Sequence, residues 1–490
     1  MKLKSEKPEK LGIPSGAIFN FLEHLEERKL CLHGMVILRH GKIAFECHYP
    51  PFNADSLHRM YSVTKSFVAM AVGFMIDEGR ITHNSKIIDF FPEYREKVKH
   101  PYLSEMTVRD LLLMATPHSA TTYSVSDKNW AETFFTKTPS HKSGANFNYD
   151  TSGTVTLTAL VEKLAGERLF EYLRPRLLDP LGFSSDAWCI ERPEGGDWGG
   201  SGLLASIHDL ARFGLFLLNR GNWQGKQLLS ASFLAEACSP LIDNRVSVSS
   251  TELQFGYGYQ IWQTRYGGFA AWGMGSQVAL CLPEKDMVLA ITGDTQSIGQ
   301  GQDIILDAFW RYIYQNITDS PLKENSDDID RLNQKIKALE FPTVEGKIFS
   351  PRQDFIPGKN YDFTDNPMKI SRASFEFTPD KGCIRYSKPS GDHEIHFGLG
   401  KYINGIFSET GYFGRKIGTP AGRGYRFKAS GAWFNERSLT IYLYIIDDYL
   451  GTLKINCFFG EDNLTLHMNK SAEWFLDDYS GMASGKISCG

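Results

Sequence analysis

The 490-residue sequence lacks several features that would place it at once in a large class of proteins. It has no strong charge excess, because 53 basic and 57 acidic residues leave a net charge of −4, and this argues against nucleic acid as a main partner. It contains no stretch of about 20 uncharged apolar residues, so no membrane span is expected. The charged N-terminus is not followed by the apolar segment of a secretory signal, and we therefore predict a cytoplasmic protein.

Common catalytic and metal-binding motifs are missing as well. None of the eight cysteines belongs to a C-x-x-C pair, which argues against a zinc ribbon or a thioredoxin-like site and favours buried, reduced thiols. The sequence has no G-x-S-x-G, no H-E-x-x-H and no phosphate-binding loop motif. The run HEIH (393–396) lies in a strand-like segment, where its two histidines would point to opposite faces. We therefore expect no metal site and no cofactor.

Length and local pattern together predict two domains and a connecting segment. A single hydrophobic core stops growing at roughly 250–300 residues, so a chain of 490 residues divides into several parts. Residues 1–318 combine helical and strand-like segments, which predicts a mixed α/β domain. Residues 319–341 begin with polar and charged sequence that is typical of a linker. Residues 342–490 contain short, alternating aromatic segments between turn residues, which predicts an all-β domain.

The strongest chemical signal is the segment YSVTK (61–65), which opens an apolar, helix-like run. Ser62 and Lys65 are three residues apart, so on a helix their side chains share one face and the amine can reach the hydroxyl. Burial lowers the pKa of a lysine, which lets it act as the base that a serine nucleophile needs. A second S-x-x-K string occurs at residues 320–323, but it lies in the polar linker and opens no apolar helix.

The segment around Ser62 resembles the first motif of the serine β-lactamase and penicillin-recognising family. Three more landmarks follow in the order of that family. The stretch ANFNYDTSGTVTLTALVEKLAG (145–166) resembles the family segment that carries the second catalytic residue, which is Tyr149 here. The stretch GGSGLLASIHDLARF (199–213) resembles a further family segment, and FAAWGMGSQVALCLPEKDMVLAITGD (269–294) lies where the third motif and its strand belong.

This resemblance covers about residues 10–318 and implies a fold. The family fold is an antiparallel sheet flanked by helices, with an all-helical subdomain and with the active site in the cleft between the two. The all-β domain that follows could be a lipocalin-like barrel of the kind appended to some members. In overall class, we expect an α/β (α+β) domain of the β-lactamase/transpeptidase type followed by a C-terminal all-β domain.

Two of the family's motifs are altered in this sequence. Thr151 replaces the asparagine of the second motif, while Ala271 and Trp272 replace the Lys or His and the Ser or Thr of the third motif. In the family these residues hold the acyl-amide group and the carboxylate of the substrate. A site that has lost such donors no longer selects for those groups. The pattern is therefore more similar to the esterase and 6-aminohexanoate-dimer hydrolase branch than to β-lactamases or D,D-peptidases.

The resemblance also implies a role for each site residue. Ser62 would be the nucleophile, Lys65 would deprotonate it or keep Tyr149 ionised, and Tyr149 would carry the proton to the leaving group. The backbone N–H groups of Ser62 and Met274 would form the oxyanion hole. The residues expected to line the substrate pocket are Tyr61, Thr151, Trp272 and Gly273.

We therefore expect a cofactor-independent serine hydrolase that cleaves a small ester or amide through an acyl-enzyme. One alternative is a D-amino-acid-specific peptidase or amidase, or a β-lactamase, of the same family. Another is a non-catalytic scaffold with a penicillin-binding-like fold, which the altered second and third motifs would suit. The presence of Ser62, Lys65 and Tyr149 together argues against the scaffold, because a scaffold has no need of all three.

Overall fold

The computed structural model describes residues 3–488, which form two compact units. The first unit comprises the chain up to Thr295 together with Gln300–Glu340 and Arg415–Gly418. The second comprises Gln296–Gly299, Phe341–Gly414 and the chain from Thr419 onward. The seven cysteines of the described region are free thiols, whereas Cys489 lies outside it. None of the helices within residues 3–488 has the length and apolar character needed to cross a membrane.

The helices and strands are numbered in chain order. Within residues 3–488 the α-helices are α1 (Ser15–Glu27), α2 (Val63–Asp77), α3 (Pro101–Ser104), α4 (Val108–Leu112), α5 (Trp130–Thr136), α6 (Thr151–Ala165), α7 (Leu169–Leu173), α8 (Asp179–Leu181), α9 (Ile207–Leu218), α10 (Ala231–Ala237), α11 (Gly301–Ala308) and α12 (Ser326–Lys337). The strands of the first unit are β1 (Leu32–Arg39), β2 (Lys42–His48), β3 (His58–Arg59), β4 (Trp188–Cys189), β5 (Leu203–Ala205), β6 (Asn222–Trp223), β7 (Lys226–Gln227), β8 (Trp262–Gln263), β9 (Phe269–Gly273), β10 (Gln277–Leu282) and β11 (Met287–Gly293). The strands of the second unit are β12 (Asn360–Phe363), β13 (Arg372–Phe377), β14 (Lys381–Lys388), β15 (Gly391–Leu399), β16 (Ile403–Ile406), β17 (Arg426–Trp433), β18 (Ser438–Ile446), β19 (Leu450–Phe459), β20 (Asn463–Ala472) and β21 (Gly481–Ile487).

A six-stranded antiparallel sheet forms the frame of the first unit, with the strand order β2-β1-β11-β10-β9-β8. Every residue of β1, β10 and β11 is buried, so both faces of the sheet are covered at its centre. Helix α9 packs on these three strands. The close approach depends on Gly214, because a Cβ at this position would lie 2.6 Å from Cγ1 of Val288.

Helix α2 lies in the core of the first unit. Residues 63–75 are all buried, which is typical of a helix that is apolar on every face. It packs against α6, α7, β9 and β10, and Ser62 is the residue that caps its N-terminus. The predicted helix that opens at Ser62 is therefore confirmed. Helices α3 to α8 follow α2 along the chain with no strand of the main sheet between them. The all-helical subdomain that the resemblance implies stays a prediction.

The segment 319–341, which the sequence predicts to be a linker, contains helix α12. This helix packs along α1, and Lys335 forms ion pairs with Glu23 and Glu26 of that helix. Asn325 caps its N-terminus, with acidic residues in the first turn and lysines in the last, which suits the helix dipole. Leu332 is its buried apolar residue, so the apolar stripe is too sparse to indicate a helix by itself.

The second unit is a closed β-sheet. Its strand order is β15-β14-β13-β12-β21-β20-β19-β18-β17-β16, and neighbours in this order run antiparallel. The end strand β15 also pairs in parallel with β17, at Gly398–Ser430 and Leu399–Gly431, and this pairing closes the sheet into a barrel. The expected classes, a mixed α/β part followed by an all-β part, are confirmed.

Candidate active site

The backbone just before Ser62 is strained. Tyr61 has a φ of +46°, in the left-handed region that a bulky side chain rarely adopts. Such conformations persist where the surrounding structure fixes them, and they cluster at active sites. Here the carbonyl of Tyr61 accepts a hydrogen bond from Thr64 Oγ1 at 2.6 Å, and its ring lies 4.4 Å from the Arg59 guanidinium. This turn presents the partly exposed side chain of Ser62 at the start of α2.

Lys65 lies one turn into α2 and is 1% exposed. Its Nζ donates a hydrogen bond to Ser62 Oγ at 2.8 Å, as the three-residue spacing predicts. Nζ also donates to the carbonyl oxygen of Gly200 at 2.6 Å, and this second contact aims the amine at the serine. A buried amine in hydrogen-bond contact with a hydroxyl is placed to exchange a proton with it.

Tyr149 contacts the same hydroxyl from a different segment. Its phenol is hydrogen-bonded to the side chain of Ser62, and its ring centroid lies 5.2 Å from Lys65 Nζ. Trp262 stacks on the ring at 5.3 Å and 24°, and Tyr257 meets it edge-on at 6.5 Å and 85°. Burial raises the pKa of Tyr149 above its usual value, an effect that the bond to Ser62 only partly offsets. The phenol is therefore protonated at neutral pH.

The two residues that follow Tyr149 lie at the N-terminus of α6. Asp150 accepts hydrogen bonds from Ser152 N and Thr116 Oγ1, both at 2.8 Å, and so caps the helix. Thr151 packs against Gly200, because a Cβ on that glycine would lie 2.4 Å from the Thr151 methyl group. Thr151 thus lies against the segment whose carbonyl holds Lys65, and its role as a pocket residue stays a prediction.

The end of β9 lies beside the turn that leads into Ser62. A Cβ on Gly273 would be 2.3 Å from the carbonyl oxygen of Met60, so only glycine permits this approach. Met274, the next residue, is exposed. The carbonyls of Gly273 and Met274 accept hydrogen bonds from Gln302 Nε2 at 2.5 Å and Gln277 Nε2 at 3.0 Å. The resemblance therefore pointed to a glycine that the structure places next to the turn before Ser62.

Two of the residues predicted to line the pocket, Tyr61 and Trp272, are buried. Ala271 belongs to the core cluster that includes α2, and side chains alternate along a strand, so Trp272 points to the opposite face of the sheet. Trp272 is 6% exposed, and the indole beside Tyr149 is that of Trp262 instead. Tyr61 is buried and packs on a guanidinium. The pocket roles of Trp272 and Tyr61 stay predictions.

The sequence analysis missed three contributors to this site: Gly200, Gln277 and Trp262. Gly200 acts through a backbone carbonyl, which has no signature in a side-chain pattern. Gln277 is fully buried, and its Nε2 also donates to the carbonyl of Gly293 at 2.7 Å, which ties the turn after β9 to the end of β11. Trp262 lies in a strand of two residues, too short to produce an alternating pattern.

The chain has recognisable relatives. A family model described as Beta-lactamase matches residues 22–300, which is more than half of the chain. A 6-aminohexanoate-dimer hydrolase from Paenarthrobacter ureafaciens is 26% identical over 237 residues, or 44% of this chain and 60% of that protein. The chain thus spans 60% of the length of this curated relative.

Two solved structures share the fold. A penicillin-binding protein homologue from Caulobacter crescentus is 15% identical with a TM-score of 0.50, over 60% of this chain and 97% of that one. A family VIII carboxylesterase is also 15% identical with a TM-score of 0.50, over 64% of this chain and 99% of that one. Because the family model covers more than half of its length, the chain belongs to the beta-lactamase family.

Proposed function

We propose that the protein is a serine hydrolase that cleaves a small ester or amide through an acyl-enzyme formed on Ser62. The observation that carries this proposal is the 2.8 Å contact between Lys65 Nζ and Ser62 Oγ, made by a buried lysine. The phenol of Tyr149 is hydrogen-bonded to the same hydroxyl. A nucleophile within hydrogen-bond reach of a base, with a further group beside it, is the arrangement that covalent catalysis requires.

The first step is attack on the substrate carbonyl. Ser62 Oγ bonds to the carbonyl carbon while its proton passes to Lys65. We assign this first transfer to Lys65 because burial keeps the phenol of Tyr149 protonated. The bond to the Gly200 carbonyl holds Nζ in line with the hydroxyl throughout.

Tyr149 serves the leaving group in this mechanism. As the tetrahedral intermediate collapses, the phenol donates its proton to the departing alcohol or amine and regains one from Lys65. A water molecule then attacks the acyl-enzyme and gives its proton to the same pair, and Ser62 Oγ recovers a proton when the acid product leaves.

The negative charge on the carbonyl oxygen is stabilised by two backbone N–H groups in this proposal. One belongs to Ser62 at the N-terminus of α2, where the dipole of a 15-residue helix favours an anion. The other belongs to Met274, in the turn that Gly273 brings close to the residues before Ser62. The subdomain formed by the helices after α2 would supply the other wall of the cleft.

The substrate class follows from what the altered motifs can no longer bind. With Thr151, Ala271 and Trp272 in place of the family's donors, the site has fewer groups to hold a substrate carboxylate, which favours an ester or a linear amide over a β-lactam. The name of the curated relative gives a 6-aminohexanoate dimer as the compound it hydrolyses. An ester or amide of similar size is the substrate that we propose here.

The test is the intact mass of the protein after treatment with a fluorophosphonate. We expect a single adduct on the wild type and none on Ser62→Ala. The chain offers a matched control in Ser320→Ala, because residues 320–323 repeat the S-x-x-K string at an exposed site. Ser320→Ala should be labelled as fully as the wild type.

Either of two results would contradict the proposal. An unlabelled wild type would favour the non-catalytic scaffold, and an adduct that persists in Ser62→Ala would place the reactive group elsewhere. For a labelled enzyme, rates on a nitrophenyl ester, a linear amide, a D-amino-acid amide and a chromogenic cephalosporin then separate the substrate classes. We expect the first two to be hydrolysed faster than the last two.

A further inference from the structure

One face of the β14–β15 hairpin in the second unit carries three metal-ligating side chains. Cys383 in β14 pairs across the ladder with His396 in β15, and Glu394 lies two residues before His396 on the same face. Cys383 Sγ is 4.0 Å from His396 Nε2, and that nitrogen is 3.1 Å from Glu394 Oε1. One ligand atom from each residue lies within 4.8 Å of the other two.

These separations are close to those of a tetrahedral zinc site. Zinc binds thiolate at about 2.3 Å and imidazole nitrogen or carboxylate oxygen at about 2.0–2.1 Å, which at tetrahedral angles puts sulfur about 3.6 Å from nitrogen and nitrogen about 3.4 Å from oxygen. The observed distances of 4.0 and 3.1 Å lie within about 0.4 Å of these values. Thiolate, imidazole and carboxylate are also the ligands that zinc prefers.

Arg385 completes the surroundings of the cluster. Its Nε lies 3.3 Å from Glu394 Oε2, and another of its nitrogens pairs with Glu376. The guanidinium therefore holds one oxygen of Glu394 and leaves Oε1 directed at His396. An outer partner that orients a ligating carboxylate in this way is common around metal sites.

We propose that Cys383, Glu394 and His396 form a zinc site on the outer face of the barrel, with water as the fourth ligand. On binding, the thiol proton of Cys383 leaves for solvent and the sulfur bonds to the ion. This site contradicts the expectation from sequence that the HEIH run binds no metal. His393 does face the other way, with Nδ1 2.8 Å from Ser408 Oγ, but Cys383 and Glu394 share the face of His396.

Binding of an ion at this site would also affect the stability of the second unit. Because the ion binds the folded hairpin, it also stabilises β15, the strand that closes the barrel against β17.

The test uses Co²⁺ as a spectroscopic probe on the full chain. We expect one equivalent to produce the sulfur-to-cobalt charge-transfer band of a thiolate ligand, and Zn²⁺ to displace it. Cys383→Ser should abolish the band. Glu394→Gln and His396→Gln change exposed side chains that the barrel does not need for packing, and each should weaken Zn²⁺ binding by at least about tenfold.

Matched controls assign the signal to this cluster. Cys238→Ser removes another cysteine, and His467→Gln removes another barrel histidine; both should leave the band and the affinity unchanged. A wild type without a charge-transfer band, or a band that survives in Cys383→Ser, would overturn the proposal. A band lost in Cys383→Ser but unaffected by both Glu394→Gln and His396→Gln would overturn it too, because it would mark a thiol that binds cobalt without the cluster.

Discussion

Lys65 in the first unit and Lys388 in the second are both buried, but they contact different partners. Lys65 Nζ donates to a serine hydroxyl and a backbone carbonyl. Lys388 Nζ lies 3.0 Å from Oε1 of Glu409 and 4.1 Å from the ring centroid of Tyr479, whose phenol donates to the same carboxylate oxygen at 2.6 Å. Two residues of one type are thus buried in two chemical settings.

The difference explains why only one of the two lysines suits proton transfer. Although burial opposes ionisation, hydrogen bonds from Tyr479 and Lys388 hold the pKa of Glu409 below its usual range. An ammonium that lost its proton there would leave the half-buried carboxylate of Glu409 without its nearest counter-ion, which is costly. Lys65 contacts the hydroxyl of Ser62, an acceptor that itself gives up a proton in the proposed mechanism. Burial alone therefore does not indicate catalysis; the chemistry of the partner does.

Replacing Lys65 with methionine tests this comparison, and the loss of rate is the largest effect that we expect. Lys65→Met should lower kcat by at least about 10³-fold, because the base that activates Ser62 is removed while the volume of the side chain is nearly kept. Hydrolysis of a nitrophenyl ester measures the rate, and urea unfolding checks that the variant is folded. A variant that keeps more than a tenth of the wild-type kcat would show that Lys65 is a packing residue.

Tyr149→Phe tests whether Tyr149 gives a proton to the leaving group rather than taking one from Ser62. We expect a loss of about 10²–10⁴-fold in kcat for an amide, because an amine cannot depart without a proton. For a nitrophenyl ester, whose leaving group needs no proton, the loss should be at least tenfold smaller. The ratio of the two losses is the measurement, and equal losses on both substrates would contradict the assigned role.

Much of this site could be predicted because its central contact is local. Ser62 and Lys65 are one helical turn apart, so their approach follows from helix geometry once the apolar run around them is recognised as a helix. Tyr149 was identified only through the order of the family's motifs. The Gly200 carbonyl and the ring of Trp262 come from distant parts of the chain, and nothing in their local sequence indicates where they end up.

The fold also has parts that the local sequence predicts and parts that it does not. Alternating aromatic segments predicted strands after residue 342, but the parallel pairing of Gly398 and Leu399 with β17 that closes the barrel joins segments about 30 residues apart and has no local pattern. Helix α12 was missed because it has one buried apolar residue, Leu332. Its cap and its charge distribution were visible in the sequence, and these signals could have identified it.

Lys388→Met is the counterpart of Lys65→Met in the second unit. It leaves the half-buried carboxylate of Glu409 with no ammonium beside it, and we expect it to lower the free energy of unfolding by about 1.5–3 kcal/mol. Urea unfolding of the full chain measures the change. Adding Glu409→Gln should recover a large part of the loss, because the uncompensated charge is then gone. A double variant as unstable as the sum of the two single variants would show that the two residues are not coupled.

Asp447 extends the comparison to a buried carboxylate of the second unit. Its side chain is 1% exposed, and hydrogen bonds from Arg423 and from the Arg426 amide, acting against burial, lower its pKa to about 2. A depressed pKa means that the ionised form stabilises the fold above the unfolded-state pKa of about 3.9, and that this contribution is lost as the pH falls towards 2. Asp447→Asn should therefore lower the free energy of unfolding by about 2 kcal/mol at pH 7 and by almost nothing near pH 2, as measured by urea unfolding.

Asp448→Asn is the control, at a more exposed neighbour of the same arginine, and it should lower the free energy of unfolding by less than about 1 kcal/mol. A loss in Asp447→Asn that stayed constant with pH would show that shape rather than charge matters at this position.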